Sequence, residues 1–169
     1  MISDAPTFAV VIREAVPEDA AVLARLRYDF RAELDPAVET EAAFLERCQP
    51  WMASRLTPGG PWRCWLALEN EAALGATWLQ LLEKIPNPVG EPELHGYVTS
   101  LYVRADRRSS GVGSSLLAAC LEECEAHGAD AVFLWPTPRS RPLYQRHGFE
   151  ARNGMLERRF RRPPAVLPR

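Results

Sequence analysis

Six residues, Arg108-Ser109-Ser110-Gly111-Val112-Gly113, set two glycines one residue apart directly ahead of a stretch with helical spacing. The first turn of a helix leaves backbone N–H groups without intrahelical acceptors and carries partial positive charge. A glycine-lined helix start therefore lets an anion approach closely. Phosphate is the natural guest, and three loop types compete for it. The ATP-type G-x-x-x-x-G-K-[ST] fails, because Lys84 is the only lysine in the chain and lies elsewhere. A dinucleotide fingerprint needs a third glycine where Leu116 stands, a tight turn straight off the strand, and an acid where Trp135 ends the next strand. The pattern that remains is R/Q-x-x-G-x-G/A.

Other residues of reactive type have simpler readings. Cys120 and Cys124 are four apart on a helical pattern and face one side, where packing explains them better than metal ligation; no metal is implied. His127 and His147 each directly precede a glycine that ends a helix, where a donor side chain suits the exposed carbonyls. His95 opens a strand and has no evident partner.

These residues must be positioned by the elements around them. "FAVVIREA" reads as a strand, and Pro17, Glu18 and Asp19 then open a helix carrying Leu23, Leu26 and Phe30. A second helix runs roughly from 39 to 56, with Phe44, Leu45, Cys48 and Met52 on one face. "WRCWLALENEAALGATWLQLLE" reads as a hairpin turning at 69–71, and the prolines of "IPNPVGEPE" make a loop. "LHGYVTSLYV" is a strand. The helix after the glycines buries Leu116, Leu117, Cys120, Leu121 and Cys124 and closes at Gly128. "AVFLW" reads as a short strand buried on both faces, "RSRPLYQRHGF" as a short helix ending at Gly148, and "GMLERRF" as a last strand. The order βααβββαβαβ predicts an α/β (α+β) fold, a central mixed sheet with helices on both faces.

At 169 residues the chain fits one domain, with a core over about 10–160 and a tail at 161–169. A net charge of −2 leaves no footprint for nucleic acid, and the basic "ERRFRRPPAVLPR" ends in prolines and is expected to project into solvent. No stretch approaches the ~20 apolar residues of a membrane span, and the start lacks the pattern of a signal peptide, so a cytoplasmic protein is expected. Uncovered edge strands make a homodimer plausible.

Three blocks together resemble the GNAT superfamily of acyl-CoA-dependent N-acetyltransferases. "SLYVRADRRSSGVGSSLL" is similar to the strand, loop and helix of that family's cofactor motif, "PLYQRHGFE" to its second signature, and "IREAVPEDAAVLARLR" to its first strand and helix. The resemblance implies a single domain whose mostly antiparallel sheet is splayed between strands four and five. It implies acetyl-CoA as acyl donor, its pyrophosphate facing the backbone donors of Arg108, Ser109, Ser110, Gly111, Val112, Gly113 and Ser114. The pantetheine arm would run along Leu101, Tyr102 and Val103, whose amides could also stabilise the thioester oxyanion.

The implied reaction is attack of a primary amine on the thioester within a ternary complex. Tyr144 matches the family's acid. A phenol of pKa ~10 is protonated at neutral pH and can protonate a thiolate whose thiol pKa is ~8.5; the plainer reading is a ring packed beneath the last strands. Many relatives carry an acid where Thr99 or Ser100 stands, and neither is a general base. Water, or Glu83, Glu91 or Glu93, is left to take the proton. Thr137 stands where many members have an asparagine on the pantetheine arm. Tyr28, Asp29, Glu33 and Asp35 could form an acidic wall for a cationic amine, or simply a solvated helix face. Trp51, Trp62, Trp65 and Trp78 could line an apolar groove or fill the core. The alternative to an enzyme is a non-catalytic acyl-CoA-binding or sensor domain of the same fold; a hydrolase or nucleotide-binding protein finds no phosphate-loop lysine and no Ser-His-acid spacing in the chain.

Overall fold

The structure is a computed structural model that describes residues 9–151 and 156–158. Its strands are β1 (Val11–Glu14), β2 (Trp62–Glu69), β3 (Ala72–Glu83), β4 (Leu94–Val103) and β5 (Ala131–Phe133). Its helices are α1 (Ala20–Ala32), α2 (Glu41–Arg55), α3 (Val112–Ala126) and α4 (Arg141–Arg146). The sheet runs in chain order, β1-β2-β3-β4-β5, antiparallel except for the parallel β4–β5 pair.

Local chemistry accounts for the element ends. Pro17 begins a 3-10 turn that leads into α1. Asp19 accepts the Val16 amide and both Arg13 Nη atoms, at 2.7 and 2.8 Å, and these bonds hold its carboxyl below the usual range. Thr40 caps α2 by accepting from the Ala43 amide. Asn70 and Glu71, both at positive φ, turn the β2–β3 hairpin.

Two cores flank the sheet. α1 and α2 cover one face through Leu23, Leu26 and Met52 against Leu66 and Trp78 of the sheet. α3 covers the other through Leu116, Leu117 and Cys120 against Leu79 and Val98. Gly96 lets α3 come close, since a Cβ there would lie 2.6 Å from Cys124 Sγ. Cys120 and Cys124 are buried free thiols whose pKa values burial pushes up, to about 12 and about 11.

One expectation needs revision, and another falls mostly outside the described residues. "AVFLW" is not buried on both faces: the strand stops at Phe133, Ala131 is exposed, and Trp135 is 54% exposed. Among the described residues β5 pairs only with β4 and is covered by α3 on one face, so its apolar run reflects one-sided packing plus an aromatic stack of Phe133 on Tyr97. The strand expected at "GMLERRF" falls mostly outside the described residues, and the described part, 156–158, is not strand.

Candidate functional site

The site is built on an irregularity in β4. Ala76 pairs with Tyr102 and Trp78 with Thr99, so Ser100 and Leu101 together stand opposite Thr77. The extra residue is a β-bulge, and Ser100 carries it at φ 55°. Val98 and Leu101 both pack against the α3 core although they are three apart, which strict alternation forbids. Gly75 makes the distortion sterically possible, since a Cβ there would meet the Tyr102 carbonyl oxygen at 2.3 Å.

β5 diverges from β4 at this level. The parallel ladder ends at Tyr97↔Phe133 while β4 continues to Val103. Along Leu101, Tyr102 and Val103, β3 occupies one edge, and among the described residues no ladder occupies the other. This is the splay expected between strands four and five, and it leaves a backbone edge that an extended ligand could pair with.

The glycine loop follows directly. Ser109 (φ 63°) and Gly111 (φ 88°) reverse the chain, and Gly111 is the N-cap of α3. The first-turn amides of Val112, Gly113 and Ser114 have no intrahelical acceptor. Ser109, Ser110 and Gly111 are exposed, Gly113 and Ser114 are half-buried, and Val112 is buried. A Cβ on Gly113 would make only ordinary contacts, 3.6–3.7 Å, with Leu143, Leu101 and Val103, so packing within the fold does not require glycine there.

Side chains behind the loop hold it in place. Arg108 donates from Nε to the Val103 carbonyl (2.9 Å) and from Nη2 to Glu33 Oε2 (2.5 Å), and lies over the Tyr102 ring. Tyr102 donates to Glu33 Oε1 at 2.7 Å. Burial alone would raise the Glu33 pKa, but the Tyr102 and Arg108 donors, with the charges of Arg108 and Arg139, hold it lowered; burial beside Glu33 pushes the Tyr102 phenol up to about 12. Glu33 thus clamps the end of α1 to β4 and the loop. It is not part of an acidic wall. Asp29 pairs with Arg25 and Asp35 with Arg31, so the remaining acids of that wall are also neutralised. Trp51, Trp62 and Trp78 form one cluster between α2 and the sheet, and Trp65 is buried in the opposite core.

In the first turn of α3, Ser114 Oγ lies 2.6 Å from His147 Nε2, tying that turn to the end of α4. His147 therefore bonds a neighbouring helix through its ring, while its amide closes α4 on the Tyr144 carbonyl. His127 behaves as expected, with Nδ1 at 3.0 Å from the Glu123 carbonyl. Tyr144 is 8% exposed and packs edge-on to Phe149 within the α3 core; burial raises its pKa, with Ser140 opposing. Thr137 and Ser140 cap each other ahead of α4: each backbone amide donates to the other's hydroxyl oxygen, at 2.9 and 3.2 Å. A ligand at Thr137 Oγ1 would share it with that cap.

Of the carboxylates considered as bases, Glu83 pairs with Leu94 at the opposite end of β4 from the bulge. Glu91 bonds Lys84 and Asn87, and Glu93 accepts the Asn87 amide, all in the β3–β4 loop. None of the three stands at the bulge. His95 lies beside Asp130 (3.6 Å) in the same ionic cluster as Lys84. What does reach the bulge is Arg27, whose Nη1 donates to Ser100 Oγ at 3.0 Å. Sequence reasoning passed over Arg27. The signal was its place among Leu23, Leu26 and Phe30, on the apolar stripe of α1.

A family model for the Acetyltransferase (GNAT) family matches residues 23–149. Among solved structures, a GCN5-related N-acetyltransferase from Ralstonia eutropha JMP134 is 26% identical with a TM-score of 0.73, covering 89% of this chain and 98% of its own. A predicted acetyltransferase from Clostridium acetobutylicum, solved with acetyl-CoA, is 18% identical with a TM-score of 0.73, covering 89% and 96%. An aminoglycoside N-acetyltransferase in complex with CoA is 16% identical with a TM-score of 0.67, covering 92% and 97%. At these last two identities the likeness is one of fold alone. No curated protein matches. The glycine loop, the bulged fourth strand and the diverging fifth lie inside a family match that takes in most of the sequence, and the chain belongs to the GNAT acetyltransferase family.

Proposed function

We propose that this protein transfers an acetyl group from acetyl-CoA to a primary amine by direct attack in a ternary complex. The observation that carries the reading is the nearness of the α3 amide terminus, at Gly113, to Leu101 and Val103 on the unladdered edge of β4; together they would serve as a pyrophosphate seat and a strand for the pantetheine arm. Arg108 through Ser114 would serve the pyrophosphate through their backbone, since the Arg108 and Ser114 side chains are engaged elsewhere. Leu101, Tyr102 and Val103 would serve the arm through the open edge.

In the reaction the amine nitrogen forms a bond to the thioester carbonyl carbon and the C–S bond then breaks. The thiolate takes the Tyr144 phenolic proton, and the proton lost from nitrogen leaves through water, because none of Glu83, Glu91 and Glu93 stands at the bulge. The reading rests on Tyr144 being reached by the sulfur despite its burial. That burial favours the second reading, a binding domain without turnover. Calorimetry with acetyl-CoA followed by thiol release with amines separates the two. A cytoplasmic, nucleic-acid-free role and a homodimer are part of the proposal; no helix among the described residues is long and apolar enough to cross a membrane. Sedimentation at micromolar concentration would test the dimer, and a monomer at every concentration would reject it.

A further inference from the structure

Arg27 is half-buried, and among the described residues it has no carboxylate partner: its one hydrogen bond goes to the neutral Ser100 hydroxyl, and its guanidinium lies 5.6 Å from the Phe30 ring centre. Burial lowers its pKa and Arg31 lowers it further; the opposing influences are the Cys48 thiol and the Tyr97 phenol, neither of them a carboxylate. A guanidinium has five N–H donors and is costly to desolvate without an anion. Its surroundings explain why no carboxylate among the described residues answers it. On the outer side it lines a cavity of about 300 Å³ shared with Tyr28, Arg31, Phe44 and Arg47. The two acids of that cavity are taken, Asp35 by Arg31 and Glu39 by Arg47. On the inner side it lines a small recess against Ser100, Trp78 and Tyr102. One side chain therefore spans the groove and the bulge beside which the thioester would lie.

We infer that Arg27 recognises a carboxylate on the acceptor, making the substrate an amine that also bears a carboxylate, such as an amino acid. The inference rests on the acetyl-transfer reading above and names its substrate class. One guanidinium presenting a planar fork matches one carboxylate in a bidentate pair, and the neutralised acids leave the cavity with the excess positive charge of Arg27. Arg27 would be a specificity residue. It cannot accept the amine proton.

The test compares thiol release from acetyl-CoA with the twenty L-amino acids and with their carboxamides, for the native protein, Arg27→Met and Arg27→Lys. Methionine keeps the apolar stem against Leu23 and Phe30, so the fold should survive the change. The expected result is a preference for at least one acid over its amide of roughly 10- to 100-fold in kcat/KM. Arg27→Met should remove that preference through KM for the acceptor, leave acetyl-CoA affinity unchanged, and be partly rescued by lysine. Amides used as well as acids, with turnover intact, would overturn the inference and leave the transferase reading standing. So would glucosamine 6-phosphate used better than every amino acid. If no amine releases thiol, the transferase reading fails on its own. Calorimetry with N-acetylated amino acids at saturating CoA then decides the carboxylate site: binding lost in Arg27→Met supports it, and absent or equal binding rejects it.

Discussion

Gly111 and Gly113 look equivalent in the motif, and the structure separates them. Gly111 sits at φ 88° with nothing near its missing Cβ, so its glycine is required by backbone torsion. Gly111→Ala should cost about 1–2 kcal/mol, a fall of about 2–8 °C in Tm, which makes it a poor probe of binding. Ser109 is the better one. It is exposed in the left-handed region that aspartate tolerates, and a negative charge there suits a helix start. Ser109→Asp should therefore leave the melting temperature within a degree or two while weakening coenzyme A binding about tenfold or more in calorimetry. Unchanged affinity would remove the pyrophosphate from this loop. Tyr144→Phe should lower kcat about 100-fold and spare acetyl-CoA binding. Because burial raises the Tyr144 pKa and the acid works protonated, native turnover should show no alkaline loss from this group below pH about 10; full activity of the phenylalanine variant would end its role as acid. At this scale the sequence reads well where function depends on local torsion or side-chain type. It reads poorly at Glu33 and Arg27, whose partners Arg108 and Ser100 lie 75 and 73 residues away. Helical spacing shows that Glu33 is near a helix end, and cannot show that it turns inward to a tyrosine and an arginine.

The β4 bulge decides the site among the elements. "LHGYVTSLYV" identifies the strand and both its ends, but nothing in its composition reveals that Ser100 and Leu101 share one partner. The bulge is a product of pairing with β3, where Gly75 admits the Tyr102 carbonyl. Gly75→Ala should destabilise the protein by about 1–3 kcal/mol through overpacking, measured by denaturant midpoint, and weaken coenzyme A binding because it displaces the edge of β4. A neutral substitution would mean the close approach is not needed. The Glu33 clamp joins α1 to the same strand. Its ionised form is favoured in the fold, so its contribution is full above the carboxylate's unfolded pKa of about 4.3 and lost as pH falls through the lowered folded value. The melting difference between the native protein and Glu33→Gln should accordingly shrink between pH 6 and pH 3. A difference that is constant with pH would show the clamp acts by packing alone.

For the whole molecule, a sheet running in chain order with α1 and α2 on one face and α3 on the other makes two cores, and the candidate site lies at the β4–β5 divergence. The order of elements was legible because hairpins and helix ends are local signals, the turn at Asn70–Glu71 and Gly128 among them. The exposure of β5 was not, since an apolar pentapeptide reads the same whether one face or two are covered. The most direct test is titration of the purified protein with acetyl-CoA by calorimetry, followed in the same sample by thiol release with a mixed pool of amines. Saturable binding with amine-dependent thiol release is the predicted result. Absence of acetyl-CoA binding would contradict the assignment of the α3 amide terminus and the β4 edge as its seat, and binding without release by any amine would contradict transfer.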